Sequence, residues 1–334
     1  KKRRPELVKL IEEIQFGKMP PRPLDLSFQV FDKGTPAFNG KAIRKQVTVY
    51  FTKDTSDHKM NLLIYLPAAA QKPVPLLMNI SFAAYNQIID DTGLVVGNIW
   101  NREGKKVKAD KPTVFGKMNV EQFLDAGIGF ATVYYGDIEP DFKEGIKYGI
   151  RKQYLKPGQT ETAPDEWGAI SAWAWGLSRA MDYFQVDKQI DSKRIALQGA
   201  SRLGKAVLWA GIYDTRYKMV IASISGEGGA ALSRRNYGET VQHITDPSRY
   251  MYQFASNYHT YAGKLNTLPF DAHALVALMA PRPLLLQTGS TDFWSDPKGE
   301  FLSSIAAAPV YKLFNKKGPE TTIMPPAGDT SFLM

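Results

Sequence analysis

Ile195-Ala196-Leu197-Gln198-Gly199-Ala200-Ser201-Arg202-Leu203-Gly204-Lys205 runs from a short apolar strand through a turn of small residues into a helical segment, Ala206 to Tyr213. A serine on such a strand-to-helix turn is where a nucleophile elbow holds its hydroxyl, over a sheet and in front of a helix N-terminus. Gly199, Ala200 and Gly204 supply the close approach such a turn needs. The helix amides make the place electropositive, which suits a developing oxyanion, and the backbone N–H of Arg202 is the natural first donor. The usual elbow is Gly-x-Ser-x-Gly. Here the second glycine comes one place late, with Leu203 in its position. On the bare pattern two readings stay open: a catalytic serine, or a serine that only caps the helix. A phosphate loop does not fit, because Gly-x4-Gly-Lys-Ser/Thr is not met. Lys205 lies four residues after Ser201 on the same helical face. Beside a nucleophile its ammonium would suit a polar or anionic substrate; elsewhere it is an ordinary solvated lysine.

Outward from this turn, strands and helices alternate. Residues 45–51 and 60–66 read as strands joined through a polar turn, Thr55 to His58. Leu76 to Phe82 and Gly127 to Tyr135 are nearly continuous apolar runs, as expected of strands buried on both faces. A long helix follows, with Pro164 in its first turn, Thr162 and Asp165 as a capping arrangement, and a stripe of Ile170, Trp173, Ala174, Leu177, Met181 and Phe184. Met219 to Ile224 and Leu284 to Gln287 are further strands. At the amino terminus an apolar helical pattern (Leu7, Leu10, Ile11, Ile14) is ended by Pro20, Pro21 and Pro23. The pattern predicts an α/β fold: a mostly parallel central sheet sandwiched by helices in three layers. No composition shift marks a boundary, so one domain over residues 1–334 is expected. Residues 85–125 and 225–270 read as long loops decorating the sheet.

Composition narrows the function. With 44% hydrophobic and 12% aromatic residues in 334, the chain can bury a large core and is not a disordered chain. No apolar run approaches the ~18 residues of a bilayer span, so no membrane partner is expected. The absence of cysteine excludes a disulfide scaffold, a thiolate zinc site and a cysteine nucleophile. The net charge of +9 favours an acidic partner, such as nucleic acid or an acidic polysaccharide, if it favours any. Zinc-finger spacing, RNA-binding aromatic motifs and basic-zipper heptads are missing, and Lys1-Lys2-Arg3-Arg4 leads into the first helix, so nucleic acid is not expected. The sequence begins at Lys1 and reads as a trimmed or processed piece.

A serine nucleophile needs an acid and a base. Leu284-Leu285-Leu286-Gln287-Thr288-Gly289-Ser290-Thr291-Asp292 is an apolar strand ending in a polar turn, where a hydrolase of this architecture carries its acid. Asp292 is therefore the candidate. Asp296, before Pro297, reads as a helix cap, Glu300 as a first-turn helix residue, and Glu227 as a rival acid. The base should follow the acid. The chain has four histidines, His58, His243, His259 and His273, and none lies beyond Asp292. Each has a structural reading. Either the base lies outside the given sequence, or the protein is not a catalyst.

Taken together, the residues resemble carbohydrate esterase family 15, the glucuronoyl esterases, in its bacterial branch. The family signature Gly-x-Ser-Arg-x-Gly-Lys is met in full at 199–205, displaced glycine included. The resemblance extends through Arg4-Pro5-Glu6-Leu7, Tyr134-Tyr135-Gly136-Asp137-Ile138-Glu139-Pro140-Asp141, Glu166-Trp167-Gly168-Ala169-Ile170 and Ala174-Trp175-Gly176. It continues through Gly226-Glu227-Gly228-Gly229-Ala230-Ala231-Leu232-Ser233-Arg234-Arg235, Ala280-Pro281-Arg282-Pro283 and Asp292-Phe293-Trp294-Ser295-Asp296-Pro297. It implies an α/β-hydrolase fold and a serine esterase that cleaves the ester between (4-O-methyl)glucuronic acid of glucuronoxylan and an alcohol of lignin. It implies no cofactor and no metal, a monomer, and export to a secreted or periplasmic location.

By position, the resemblance makes Ser201 the nucleophile and Arg202 the oxyanion stabiliser. Lys205 and Glu239 bind the uronate hydroxyls, and Trp294 lines the sugar pocket. The family's acid varies between two places; one is Ile224 here, which cannot serve, and the other is Asp292, preferred over Glu227. The family's histidine lies shortly beyond the stretch matching Gly328-Asp329-Thr330-Ser331-Phe332. The sequence stops at Met334, so a further C-terminal segment carrying the base is expected. Rival readings are an acetyl xylan or other carbohydrate esterase, and a non-catalytic carbohydrate-binding relative or a fragment lacking its base.

Overall fold

The amino-terminal apolar stripe forms α1 (Arg3–Ile11), continued by a π-helical turn over Glu12–Phe16. It ends at Gly17, before the prolines. Gly17 has φ 83° and its Cα faces the Glu166 carbonyl so closely that no side chain fits there. A computed structural model describes residues 2–56, 58–319, 321–324 and, as backbone, 331–333. The stretch 328–330, beyond which the resemblance puts the histidine, lies outside the described residues. Contacts distinguish two compact units, one of residues 20–156 and 175–196, the other of 1–19, 157–174 and 197–334. Each is assembled from separated segments, so neither has an edge that a composition shift could reveal.

The first unit begins with an antiparallel meander: β1 (Ser27–Ala37), β2 (Ala42–Tyr50) and β3 (Lys59–Pro67). β1 escaped the sequence reading. It is an edge strand with two register shifts around Asp32-Lys33-Gly34 and with Pro36 inside it, features that erase a period of two. β4 (Val74–Ser81) follows. The segment expected to be loop holds α2 (Tyr85–Ile88), the ribbon β5 (Asn98–Trp100) with β6 (Lys106–Lys108), and α3 (Glu121–Asp125). β7 (Gly129–Tyr134) pairs parallel with β4 and antiparallel with β3, and every one of its residues is buried. That two-sided burial is why its sequence is continuously apolar.

α4 (Ala169–Phe184) and β8 (Ile190–Ala200) contribute residues to both units. α4 starts later than predicted. Residues 163–166 make a turn instead, Glu166 N donating to Ala163 O at 2.9 Å, and the chain is bonded to the amino-terminal segment: Lys18 N donates to Asp165 O at 2.9 Å and Gly168 N to Phe16 O at 3.1 Å. The second unit continues with α5 (Arg202–Tyr213) and β9 (Met219–Ser223), then short helices α6 (Val241–Ile244) and α7 (Ser256–His259) in the long 225–270 segment. It closes with α8 (Ala272–Leu278), β10 (Leu284–Gln287), α9 (Pro297–Lys312) and β11 (Ser331–Leu333). β9 and β10 are parallel in the register Leu284↔Val220 to Gln287↔Ser223, and β11 is antiparallel to β10. α5 packs on β9 and α8, and α8 on α9. Its core residue Trp209 stacks on Phe16 with ring centroids 4.9 Å apart. This is the expected α/β-hydrolase architecture, with an antiparallel meander added at its amino-terminal side.

Candidate active site

The site is built at the carboxyl ends of β8, β9 and β10. β8 stops at Ala200, and Ser201 turns the chain with φ 55°, ψ −128° before α5 begins at Arg202. A non-glycine residue at positive φ costs about 1–3 kcal/mol and is kept only where its surroundings enforce it. Two hydrogen bonds do so here: Ser201 N donates to Ser223 O at 2.8 Å, and Lys205 N donates to Ser201 O at 3.1 Å. The Ser201 hydroxyl does not cap α5. The helix-cap alternative therefore fails, and the hydroxyl is left to project from the turn.

The late glycine has a steric cause. A Cβ on Gly204 would stand 2.9 Å from Ser223 O and 3.2 Å from Ser225 Cβ, so this position, not 203, passes the end of β9. Leu203 is free to enter the core, where it is fully buried. Gly199 is equally constrained, since a Cβ there would meet the Leu203 carbonyl at 2.6 Å.

Ser223 also ties β9 to β10. Its Oγ donates to Gln287 Oε1 at 2.7 Å, and Ile224 N donates to Gln287 O at 2.6 Å. Five residues past Gln287, Asp292 closes a turn on Gly289 (N to O, 3.0 Å), and its carboxylate accepts from Ser295 N at 3.3 Å. Ile224 sits at φ 41°, an unusual conformation for a β-branched residue.

Lys205 and Glu239 form a buried ion pair, Nζ to Oε2 3.2 Å. Glu239 is fixed by main chain, its N donating to Trp294 O at 2.7 Å. Gly238, at φ 66°, makes this possible, because a Cβ there would be 2.4 Å from Phe293 O and 2.5 Å from Trp294 O. Trp294 is 46% exposed, and its ring leans on His243 with centroids 5.3 Å apart. The Arg202 guanidinium lies over the Tyr250 ring at 4.7 Å. Ser201, Arg202 and Lys205 thus share one turn of helix, Glu239 joins them through Lys205, and Trp294 and Asp292 follow through the 292–295 turn. Tyr250, and the place of His243 beside Trp294, were not foreseen, since only tertiary packing brings them here.

A family model described as glucuronyl esterase, fungi, matches residues 157–315. A carbohydrate esterase from an unknown prokaryotic organism is 42% identical over 325 residues, covering 95% of this chain and 74% of that protein. The chain belongs to carbohydrate esterase family 15. The structure of a glucuronoyl esterase from Solibacter usitatus superposes with a TM-score of 0.92 at 46% identity, covering 99% of this chain and 85% of that one. A 4-O-methyl-glucuronoyl methylesterase from Phanerochaete carnosa is 34% identical over 152 residues, 43% of this chain and 37% of that protein. The molecule is accordingly a carboxylic ester hydrolase of the glucuronoyl esterase family.

Three further carboxyls of this esterase are held by partners of their own. Glu227 is buried and accepts from Gly228 N at 2.9 Å, Ser233 Oγ at 2.5 Å and Tyr258 OH at 3.4 Å, so the rival acid is already engaged. Asp296 stands at the N-cap position of α9 but does not cap it; its carboxylate pairs with Arg235 at 2.7 Å. Glu300 lies in the first turn of α9, as expected, and is fully buried. Its Oε1 accepts from Ser225 Oγ at 2.7 Å and Gly226 N at 2.8 Å, while Oε2 has no hydrogen-bond partner.

Burial pushes both Glu227 and Glu300 up to about 7, opposed by their hydrogen bonds and by the Lys205 charge. In the unfolded chain these carboxyls ionise near 4.5. Between those values the folded protein holds more protons, so raising the pH favours unfolding. Their contribution is fully present below about pH 4.5 and is lost as pH rises through about 7. Urea titrations at pH 5 and pH 8 will show Glu300→Gln losing less stability over that interval than the parent, by up to a few kcal/mol. Equal losses would refute the assignment.

Among the described residues, none of the four histidines is bonded to Ser201. His58 is in the β2–β3 turn of the other unit, and His273 is on α8. His243 Nδ1 meets Thr240 Oγ1 at 2.9 Å, and His259 Nε2 meets Met251 O at 3.0 Å, with burial pushing His259 below its ordinary value. Among the described residues no group of three or more histidine or acidic side chains is arranged for a metal, and no helix is long and apolar enough to cross a membrane.

Proposed function

We propose that this esterase cleaves the ester joining a (4-O-methyl)glucuronic acid branch of glucuronoxylan to an alcohol of lignin, through an acyl-enzyme on Ser201. The Ser201 oxygen attacks the uronate carbonyl carbon as its proton passes to a base oriented by Asp292. The resemblance assigns that base to a histidine, and none of the four in the sequence fits the part. The negative charge on the carbonyl oxygen is met by the N–H and guanidinium of Arg202. Collapse expels the alcohol, which takes the proton, and water then attacks the acyl-enzyme to release the uronic acid and restore Ser201.

The observation that carries the substrate is the buried Lys205–Glu239 pair one helical turn from Ser201, tied by main chain to Trp294. Paired donors and acceptors of this kind select an acyl group bearing matching hydroxyls and reject one lacking them. The neighbours' names as glucuronoyl esterase and 4-O-methyl-glucuronoyl methylesterase support the same acyl group. The family resemblance supports a monomer. A plant-wall polymer as substrate supports a secreted or periplasmic location. The chemistry calls for no cofactor. Comparing benzyl glucuronate with a simple acetate ester tests the reading. The uronate ester should be cleaved at least about 100-fold more efficiently, the discrimination available to a hydrogen-bonding site. Preference for the acetate would make the protein an acetyl esterase instead.

A further inference from the structure

The positive charge of the chain is unevenly spread. Residues 98–117 hold six basic side chains against two acidic ones, in a protein of net charge +9. Of the six, Lys117 pairs with Asp90, whereas Lys105, Lys106 and Lys108 are exposed and held by no ion pair among the described residues. Their backbone belongs to a hydrogen-bonded ribbon and its tip. β5 and β6 pair as Asn98↔Lys108 and Trp100↔Lys106, which puts Trp100, Lys106 and Lys108 on one face of the ribbon. The tip is closed by Asn101 N donating to Lys105 O at 2.9 Å, and by the Asn101 side chain accepting from Glu103 N and Lys105 N.

Trp100 is anchored at both ends, its N donating to Tyr134 OH at 3.1 Å and its Nε1 to Gly136 O at 3.0 Å. Lys106 lies 5.8 Å over its ring, and the half-exposed Tyr148 packs against it at 5.1 Å. A rigid aromatic pair edged by Lys105, Lys106 and Lys108, of which Lys106 also acts on the buried Asp137 carboxyl, fits a sugar polymer that bears carboxylates: rings take the sugar faces and lysines take the acids.

We propose that the β5–β6 ribbon, with Tyr148, is a second carbohydrate-binding surface that holds the free uronic acid branches of xylan. This rests on the reading that glucuronoxylan is the polymer attacked. The two places would recognise different branches of it. An esterified uronate is neutral and goes to Ser201, while an unesterified one carries the charge the ribbon needs. The ribbon tethers the polymer through branches that need no cleavage.

Affinity electrophoresis of the full chain tests this in gels holding glucuronoxylan, carboxyl-reduced glucuronoxylan or duplex DNA. Retardation should appear with glucuronoxylan only and fade toward 0.5 M salt, where the screening length falls to about 4 Å. The triple variant K105Q/K106Q/K108Q should bind about tenfold more weakly, with kcat/KM on benzyl glucuronate unchanged within about twofold. Tyr148→Ala should weaken binding by a similar factor without changing the salt dependence. Equal retardation of the triple variant, equal retardation by the carboxyl-reduced polymer, or tighter binding of DNA would each overturn the proposal. Failure to cleave benzyl glucuronate, with ribbon-dependent retardation intact, would refute only the reading of the catalytic site.

Discussion

Replacing Ser201 with alanine will lower kcat/KM for a glucuronate ester by at least about 10⁴-fold in the catalytically complete protein, because the acyl-enzyme cannot form. The residual rate will be the oxyanion-binding and positioning contribution alone. Binding of the uronate product, measured by calorimetry, should survive, since Lys205, Glu239 and Trp294 are untouched. The backbone offers an independent check. Alanine keeps the cost of φ 55°, whereas Ser201→Gly relieves it. The glycine variant should therefore be equally inactive but more stable than the alanine variant, by about 1 kcal/mol. Unchanged ester cleavage in a folded alanine variant would remove the basis for the whole mechanism.

Lys205→Met should be nearly as severe, and in two measurements at once. The ammonium is buried, bonded to Glu239, and is the positive charge acting on both Glu227 and Glu300. Removing one partner of a buried pair costs about 3–5 kcal/mol, because the other charge is left without compensation. Urea unfolding should show that loss, and KM for benzyl glucuronate should rise by at least about tenfold, the worth of a hydrogen bond to a charged group. The double variant Lys205→Met/Glu239→Gln separates the two effects. Stability should largely return, because no unpaired charge remains from the pair, while KM stays high. Recovery of KM in the double variant, or an unchanged KM in the single one, would show that the pair is only architecture.

Much of this site was legible in the sequence because it is local. The elbow occupies seven consecutive residues, and Asp292 and Trp294 belong to one six-residue segment after an apolar strand. The misplaced glycine became intelligible only with the end of β9 in view, since its neighbours, Ser223 and Ser225, lie about twenty residues away in the chain. The same holds for α4, whose predicted first turn is drawn into pairing with residues 16–18. Glu300 sits in the first turn of α9 as read, but its full burial was not legible. A glutamate in the first turn of a helix ordinarily faces water and favours the helix dipole. Here that turn points inward, and no periodicity could show it. The edge strand β1 was lost for the opposite reason: bulges and a proline interrupt the alternation by which strands are recognised.

Glu239 is held by the carbonyl of Trp294 and not by its indole, and Gly238 rests on the peptide groups of 293 and 294. The ring is thus a replaceable fitting on a permanent mount. Exchanging it for other side chains will retune which acyl sugars are accepted while the polar grip beneath keeps its form, making residue 294 the natural place to diversify specificity without rebuilding the enzyme.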